Sequence, residues 1–150
     1  MKTRGFEVVS AFTDKDINLP KRGSKHSAGY DIESAETVEI KAGESAVLPT
    51  GIKAYMQGNE YLAIHIRSSM GIKKGLRLLN STGIIDSDYY NNVSNEGHIL
   101  VGVKNTSRET AIINKGDRIA QGIFTTYLIA DGDDANDERT GGIGSTGVNN

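Results

Sequence analysis

Three short segments carry residues that could bind or react with a phosphorylated substrate. Arg67, Ser68 and Ser69 place a guanidinium, two hydroxyls and backbone amides within one turn. Such a turn can hold phosphate oxygens through charge-assisted hydrogen bonds. Asp86 directly follows two β-branched apolar residues, and a carboxylate at the edge of an apolar wall can act as a general base towards water. The third segment, residues 116–121, contains Arg118. An arginine in a turn that enters a strand is more often an ion-pair partner than a ligand.

Each segment taken alone also has an ordinary structural interpretation. An Arg-Ser-Ser run is common on solvated surfaces, and residues 86–88 have the composition of a turn. Asp86 and Asp88 could bind a divalent cation, but two carboxylates do not make an all-protein cage. The histidines lack the spacing of metal ligands and are expected to be structural: His26, His65 and His98.

Short strands separated by turns must position these segments. Residues 61–66 alternate, with Leu62, Ile64 and Ile66 on one face. Glycine-containing turn signals separate this run from other short apolar runs. The pattern predicts an all-β fold, either a sandwich or a jelly roll. The other predicted strands are residues 7–9, 37–40, 45–48, 52–55, 98–104, 110–113 and 121–128, and residues 70–74 are predicted to form a short helix.

The composition limits the classes of protein. A chain of 150 residues fits one domain with a core. The net charge of -2 provides no basic face, so direct nucleic-acid binding is not expected. The absence of cysteine excludes disulfides and thiolate metal sites. No window approaches the roughly 20 apolar residues of a membrane span, so we expect a soluble protein in the cytoplasm.

The C-terminal residues differ in composition from the rest. Residues 130–138 are acidic and predict a flexible linker. Residues 139–147 are rich in Gly, Ser and Thr, and on composition alone they indicate a disordered end. We therefore predict a β domain over residues 1–129 and a flexible linker with a glycine-rich tail over residues 130–150.

Five segments, in their order and spacing, resemble the ordered motifs of the trimeric dUTPase family. They are residues 28–31, 67–69, 83–89, 116–121 and 141–147, and together they span most of the chain. The resemblance implies a jelly-roll subunit in a threefold homotrimer whose active sites lie at subunit interfaces, each closed by a glycine-rich tail. It also implies hydrolysis of dUTP to dUMP and pyrophosphate, which limits uracil incorporation into DNA and supplies dUMP.

The resemblance further implies roles for individual residues. Asp86 resembles the base that deprotonates the water attacking the α-phosphorus. Mg²⁺ is expected on the triphosphate, with Asp31 contacting it through water. Arg139 resembles the tail arginine that reaches the γ-phosphate. Tyr89 resembles the ring that packs on deoxyribose and leaves no room for a 2′-hydroxyl. The remaining implied substrate contacts are Arg67, Ser68, Ser69 and Gln121 for phosphate, Asn80, Gly83, Ile84, Ile85 and Leu100 for uracil, and Ile143, Gly144 and Ser145 in the tail.

The sequence departs from the family pattern in two places. Residues 90–96 separate the motif tyrosine from Gly97 and look like an insertion after the third motif. This segment is interpreted as a longer surface turn, an altered lid or a partner-binding loop. Ile143 stands where the family usually has a phenylalanine that stacks on uracil. We hypothesise that Tyr90 supplies the missing ring.

Two other functions are weighed against the dUTPase interpretation. A dCTP deaminase resembles this fold and shares a related arginine-serine turn, but residues 83–89 and the glycine-rich tail favour a dUTPase. A regulatory binding protein would use dUTP to control a protein partner, and residues 90–96 would support that role. A monomeric protein would conflict with a site built from three chains.

Overall fold

The computed structural model describes residues 1–143, and these residues form twelve short strands and three short helical turns. The helical turns are Ser10–Phe12, Ser69–Lys73 and Ser87–Tyr89. The strands are β1 (Gly5–Val8), β2 (Lys21–Arg22), β3 (Tyr30–Glu33), β4 (Val38–Ile40), β5 (Ser45–Pro49), β6 (Ile52–Tyr55), β7 (Glu60–Ile66), β8 (Leu76–Leu78), β9 (Gly83–Asp86), β10 (Leu100–Asn105), β11 (Ala111–Ile113) and β12 (Arg118–Thr126).

The strands of this region pair antiparallel in four sheets. The largest sheet has the order β2-β3-β12-β7-β9, and a second sheet has the order β5-β10-β8. Two smaller pairs, β1-β6 and β11-β4, complete the arrangement. The predicted all-β, jelly-roll class of the subunit is therefore confirmed. No helix among residues 1–143 has the length and apolar character needed to cross a membrane.

Aliphatic side chains from alternating strand positions form the core. In β7, Leu62 and Ile64 are buried as the alternation predicts, and Ala63 on the opposite face is buried as well. Complete burial of one such aliphatic side chain contributes about 1.5–3 kcal/mol to the free energy of unfolding. The largest aliphatic side chains that are fully buried come from all four sheets and their connections: Ile32, Ile40, Leu48, Ile52, Leu62, Leu76, Ile99, Val101, Val103, Ile113 and Ile119.

The predicted elements are present with small shifts at their ends. The helix predicted over residues 70–74 is a single π-helical turn over Ser69–Lys73. The strand predicted from residue 98 begins at Leu100, because the Ile99 amide donates to the Ile52 carbonyl outside the strand pairing. Four strands were missed, namely β2, β3, β8 and β9. They are two to four residues long, and β2, the shortest, cannot express a period of two at all.

His98 joins two connections in the interior. Its Nε2 accepts a hydrogen bond from the Gly51 amide at 2.9 Å, and its ring lies 5.0 Å from that of Phe12. Burial lowers the pKa of His98, and the more distant carboxylates of Glu36 and Glu96 only partly oppose this effect. The neutral imidazole is therefore the form that the fold stabilises, as expected for a structural histidine.

This arrangement predicts a stability loss in mild acid. The folded pKa of His98 lies below its unfolded value of about 6.5. Unfolded chains therefore bind more protons in the window between the two values, and the free energy of unfolding falls as the pH drops below about 6.5. Urea unfolding of the wild type from about pH 8 to about pH 5, at fixed protein concentration, should show this loss.

The variant His98→Gln keeps an oxygen acceptor for the Gly51 amide but does not titrate, so its stability should change little across the same window. The exposed His26 provides the matched control, because His26→Gln should retain the acid-dependent loss. An equal loss in wild type and His98→Gln would show that His98 is not its source.

Candidate functional site

A cavity of about 260 Å³ opens beside β9 and is called here the β9 pocket. The edge strand β9 pairs with β7 on one side only, so its other edge is available to line the cavity. Gly83 allows a close approach there, because a Cβ at this position would lie 3.0 Å from Ile64 Cβ. The predicted site residues that line the β9 pocket are Asn80, Gly83, Ile84, Ile85, Asp86, Tyr89, Leu100, Arg139 and Ile143.

Tyr89 is held in the β9 pocket by hydrogen bonds at its hydroxyl. The residue ends the helical turn Ser87–Tyr89 and is only 6% exposed. Its hydroxyl donates to the His98 carbonyl at 2.7 Å and accepts from Asn95 Nδ2 at 2.8 Å. Burial raises the pKa of Tyr89, so the phenol stays neutral. A fixed, neutral ring of this kind can support the flat face of a sugar or base.

Asp86 lies at the rim of the β9 pocket, at the end of β9. One of its oxygens accepts from Arg139 Nη2 at 2.6 Å, and Asp88 accepts from Arg139 Nε at 2.7 Å. The guanidinium also lies 5.7 Å from the centre of the Tyr89 ring. The Asp86 side chain is nevertheless 50% exposed. It can therefore accept a proton from a water molecule at the pocket rim.

A second cavity of about 380 Å³ is called here the Arg67 pocket. Arg67 Nε donates to Asp31 Oδ1 at 3.1 Å, and Arg118 approaches Asp31 Oδ2 at 3.6 Å. Arg67 Nη1 also donates to Ser69 Oγ at 3.4 Å. The predicted site residues that line this pocket are Asp31, Arg67, Ser68, Ser69 and Gln121.

The Arg67 pocket can bind an anion, because the guanidinium of Arg67 and the hydroxyls of Ser68 and Ser69 line it beside a single carboxylate. No group of three His, Cys, Asp or Glu side chains capable of holding a metal ion occurs among residues 1–143. A lone carboxylate suits Mg²⁺ that arrives on phosphate oxygens and keeps part of its water shell. The donor set therefore fits a metal carried by the ligand.

Strand register brings the parts of the Arg67 pocket together. Gln121 of β12 lies opposite Asp31 of β3 and opposite His65 of β7, two residues before Arg67. Gly29 leaves room for Gln121 beside this row, because a Cβ there would displace the end of the Gln121 side chain. Three motif segments that are far apart in sequence thus meet on one sheet.

The two pockets share no lining residue within the described part of the chain. The resemblance implies one site, shared between chains, that contains Asp86 and Tyr89 together with Arg67 and Gln121. In a single chain, Asp86 and Tyr89 line the β9 pocket, whereas Arg67 and Gln121 line the Arg67 pocket. Each chain therefore carries two separate pockets.

The hypothesis for Tyr90 is not supported by its position. Its hydroxyl donates to Glu7, and its ring lies 6.0 Å from that of Tyr55 in an edge-to-face arrangement. Lys53 Nζ lies 5.1 Å from the centre of the same ring. These contacts hold Tyr90 against β1 and β6, away from the β9 pocket. The hydroxyl bond to Glu7 also raises the pKa of Tyr90.

Some lining residues were not expected from the sequence, and others fall outside the described chain. Ile143 reaches the β9 pocket and is 74% exposed, but Gly144 and Ser145 lie outside the described residues. The alternation of β10 could have indicated Gly102, which lies two residues after the predicted Leu100 on the same face of the strand. The unexpected members are Ile64, Leu78, Val101, Gly102 and Gly142 in the β9 pocket and Gly23, Ser27 and Gly29 in the Arg67 pocket.

Curated proteins and a family model resemble this chain over most of its length. The model of the dUTPase family matches residues 15–147. The deoxyuridine 5'-triphosphate nucleotidohydrolase of Lactococcus lactis is 55% identical over 150 residues, which cover 99% of this chain and 100% of that protein. The enzyme of the same name from Rickettsia canadensis is 40% identical over 138 residues, covering 87% of this chain and 89% of that protein.

Solved structures agree with this similarity. The dUTPase of Streptococcus mutans is 50% identical, covers 85% of this chain and 99% of its own, and superimposes with a TM-score of 0.81. The dUTPase of phage phi11 of S. aureus, at 23% identity and a TM-score of 0.74, shares the fold over 91% of this chain and 97% of its own. The family model and a full-length relative with more than half its residues identical show that the chain belongs to the dUTPase family.

Proposed function

We propose that this chain is a dUTP diphosphatase, a hydrolase of nucleotide metabolism that converts dUTP to dUMP and pyrophosphate. The observation that carries the proposal is a half-exposed carboxylate, Asp86, at the rim of a pocket that contains the buried ring of Tyr89. In a member of the dUTPase family, this arrangement supplies a nucleoside pocket with a general base, Asp86, beside it. The reaction removes dUTP, which limits uracil incorporation into DNA, and provides dUMP.

The β9 pocket is proposed to bind the deoxyuridine. The backbone of Gly83, Ile84 and Ile85 would meet the uracil edge, together with Asn80 and the backbone near Leu100. Cytosine carries an amino donor where uracil has an acceptor, so dCTP would leave buried polar groups unpaired. The Tyr89 ring would pack against the sugar and exclude a 2′-hydroxyl.

Asp86 is proposed to act as the general base. Its carboxylate takes a proton from water as the water oxygen bonds to the α-phosphorus. The bond from the α-phosphorus to the bridging oxygen breaks, and that oxygen leaves with pyrophosphate. Such chemistry relies mainly on positioning and on neutralisation of charge. The exposure of the Asp86 side chain supports this role, because water can reach it.

The Arg67 pocket is proposed to hold the triphosphate. Arg67, Ser68 and Ser69 donate hydrogen bonds to phosphate oxygens, and Gln121 contributes from β12. Asp31 is already paired with two arginines, so it would contact Mg²⁺ through water rather than directly. When bound to the nucleotide, Mg²⁺ would neutralise charge on the phosphate chain.

The tail is proposed to close over the nucleotide. Arg139 would exchange its contacts with Asp86 and Asp88 for oxygens of the γ-phosphate, in the manner of an arginine finger. Ile143, Gly144 and Ser145 would cover the base. The division at residue 129 belongs to this proposal, with residues 130–150 serving as linker and tail.

We further propose a homotrimer with shared active sites. The support is the separation of the two pockets, since neither pocket alone offers both a base and a triphosphate cradle. Symmetric association can bring the β9 pocket of one chain against the Arg67 pocket of the next. A hydrolase of free nucleotides acts where those nucleotides are kept, so a cytoplasmic location is proposed.

The alternative functions are less well supported. A dCTP deaminase is disfavoured by the match to the dUTPase family. For a regulatory protein partner, the relevant segment would be residues 90–96. Buried Asn92 and partly buried Asn95 and Glu96 point inward to their own chain, which favours a structural use of this segment.

Product analysis tests the reaction and its specificity. Purified protein with Mg²⁺ should form dUMP and pyrophosphate from dUTP, and nothing from UTP or dCTP in separate tubes. Excess EDTA should reduce turnover to background, because the triphosphate charge is then not neutralised. Intact dUTP would contradict the proposal. Release of dUTP from dCTP would indicate a deaminase, and no product in any tube would indicate a binding protein.

Replacement of the base tests the role of Asp86. Asp86→Asn should lower turnover by about 10²–10⁴-fold, the usual contribution of a general base, while dUTP binding is kept. Asp88→Asn is the matched control, because Asp88 pairs with the same arginine and is similarly exposed. Loss of an exposed ion pair should change turnover by at most about fivefold. Equal losses of turnover in both variants would show that the effect comes from a lost ion pair with Arg139 and not from a lost general base.

Subunit mixing tests the shared site. Asp86→Asn and Arg67→Ala should each be inactive alone. Refolding them together in equal amounts should restore about a quarter of wild-type activity, as random assembly of two pockets from different chains predicts. Sedimentation should show a trimer in all three samples. A mixture without activity, or a monomer that turns over dUTP, would reject sites shared between chains.

A further inference from the structure

The hydroxyl of Tyr89 has two fixed partners, and one of them comes from the segment that follows it. The His98 carbonyl accepts its proton at 2.7 Å, and Asn95 Nδ2 donates to its oxygen at 2.8 Å. Two hydrogen bonds at the far end of the ring fix both its tilt and its depth in the β9 pocket. The ring position therefore depends on the orientation of the Asn95 amide.

The Asn95 amide is itself held in one orientation. Its Oδ1 accepts from Asn92 Nδ2 at 2.8 Å and from the Gly97 amide at 3.1 Å. Two donors at this atom identify it as the oxygen, so the amide nitrogen must face Tyr89. Asn92 Nδ2 also donates to the Tyr89 carbonyl at 2.7 Å. Backbone and side chain of Tyr89 are thus both held by the same two asparagines.

Asn92 and Asn95 lie in a loop that is held in place by hydrogen bonds to other parts of the chain. Lys53 is only 9% exposed, and its ammonium donates to Asn91 Oδ1 at 2.5 Å and to Glu96 Oε2 at 2.8 Å. The Glu96 carboxylate also accepts from the Ser10 amide at 3.1 Å. Lys53 thereby connects β6 to the loop and holds in place the segment that carries Asn92 and Asn95.

Asn95 also lies next to the returning tail. A Cβ added at Gly142 would lie 3.0 Å from Asn95 Nδ2, so the tail backbone passes directly over this amide. The Arg139 guanidinium lies 5.7 Å from the centre of the same tyrosine ring. Asn95 therefore lies against both the Tyr89 hydroxyl and the tail backbone at Gly142.

We infer that Asn95 is a positioning residue that sets the selection of deoxyribose over ribose by fixing the Tyr89 ring and seating Gly142 of the tail. The inference rests on the proposed function, in which Tyr89 packs against the sugar. The selectivity of a steric site depends on how firmly its wall is held. A ring freed at its hydroxyl can tilt and admit a 2′-hydroxyl.

The test compares kcat/KM for dUTP and UTP in the full-length protein with Mg²⁺. Asn95→Ala should lower the preference for dUTP by roughly fivefold to tenfold, the effect of one lost hydrogen bond, mainly through KM. Tyr89→Phe keeps the ring but removes both hydrogen bonds at the hydroxyl, so it should cause a loss at least as large. The double variant should be no worse than Tyr89→Phe alone, because removal of the hydroxyl already removes the bond to Asn95.

Ser94→Ala is the matched control, since Ser94 is exposed in the same loop. It should keep the wild-type preference within about twofold, as surface substitutions usually do. Thermal unfolding identifies any variant that fails to fold. If Asn95→Ala does not fold, Tyr89→Phe still tests whether the hydrogen bonds at the hydroxyl set the preference. A folded Asn95→Ala or Tyr89→Phe variant with unchanged preference, or losses that add in the double variant, would overturn the inference.

Calorimetric binding of dUMP and UMP gives a second measure that does not depend on turnover. The ratio of the two affinities should fall in Asn95→Ala and Tyr89→Phe but not in Ser94→Ala. If the wild type hydrolyses dUTP and every variant keeps the wild-type ratio of kcat/KM for dUTP and UTP and the wild-type ratio of affinity for dUMP and UMP, the role of Asn95 is overturned. The proposed function would then still stand. Wild type that neither hydrolyses dUTP nor binds dUMP would overturn both.

Discussion

The pairing of β12 with both β3 and β7 is the constraint on which the rest of the site depends. This central strand places Gln121 between Asp31 and the end of β7, where the chain turns into the Arg67 segment. The other edge of β7 carries β9 and, with it, the second pocket. Because side chains alternate along a strand, a slip of one residue would turn the Gln121 side chain to the opposite face of the sheet. The buried aliphatic face of β7 opposes such a slip, so the packing of the core also fixes which side chains face the Arg67 pocket.

The two pockets are supported by different physical means. The Arg67 pocket is held by charge, with two arginines on one carboxylate and a glycine that leaves room for Gln121. The β9 pocket is held by packing and by neutral hydrogen bonds around a buried ring. Charge attracts a phosphate chain from solution, and rigid packing selects a base and a sugar. This division suits a substrate that is highly charged at one end and flat at the other.

The sequence was most informative where residues repeat or form ordered motifs. The alternation in β7 predicted the fold class, and the resemblance of the ordered motifs to the dUTPase family predicted most lining residues. Short strands such as β2 gave no signal, because two residues cannot express a period. The resemblance implied sites shared between subunits, but it did not show which motifs meet in the same pocket of one chain, since motif order along the chain does not report distance in space. Asn95 has no pattern of its own, and only the assembled hydrogen bonds reveal its contacts.

The surroundings of Tyr89 have an optical consequence. The chain contains six tyrosines and no tryptophan, so its near-ultraviolet absorption comes mainly from phenol rings. A phenol that donates its proton to a backbone carbonyl, and whose pKa burial has raised, resists conversion to phenolate in alkaline solution. Ring exposure and ionisation at this position are therefore coupled. The part of the phenolate absorption band that comes from Tyr89 thus reports how often the pocket opens, without any attached dye.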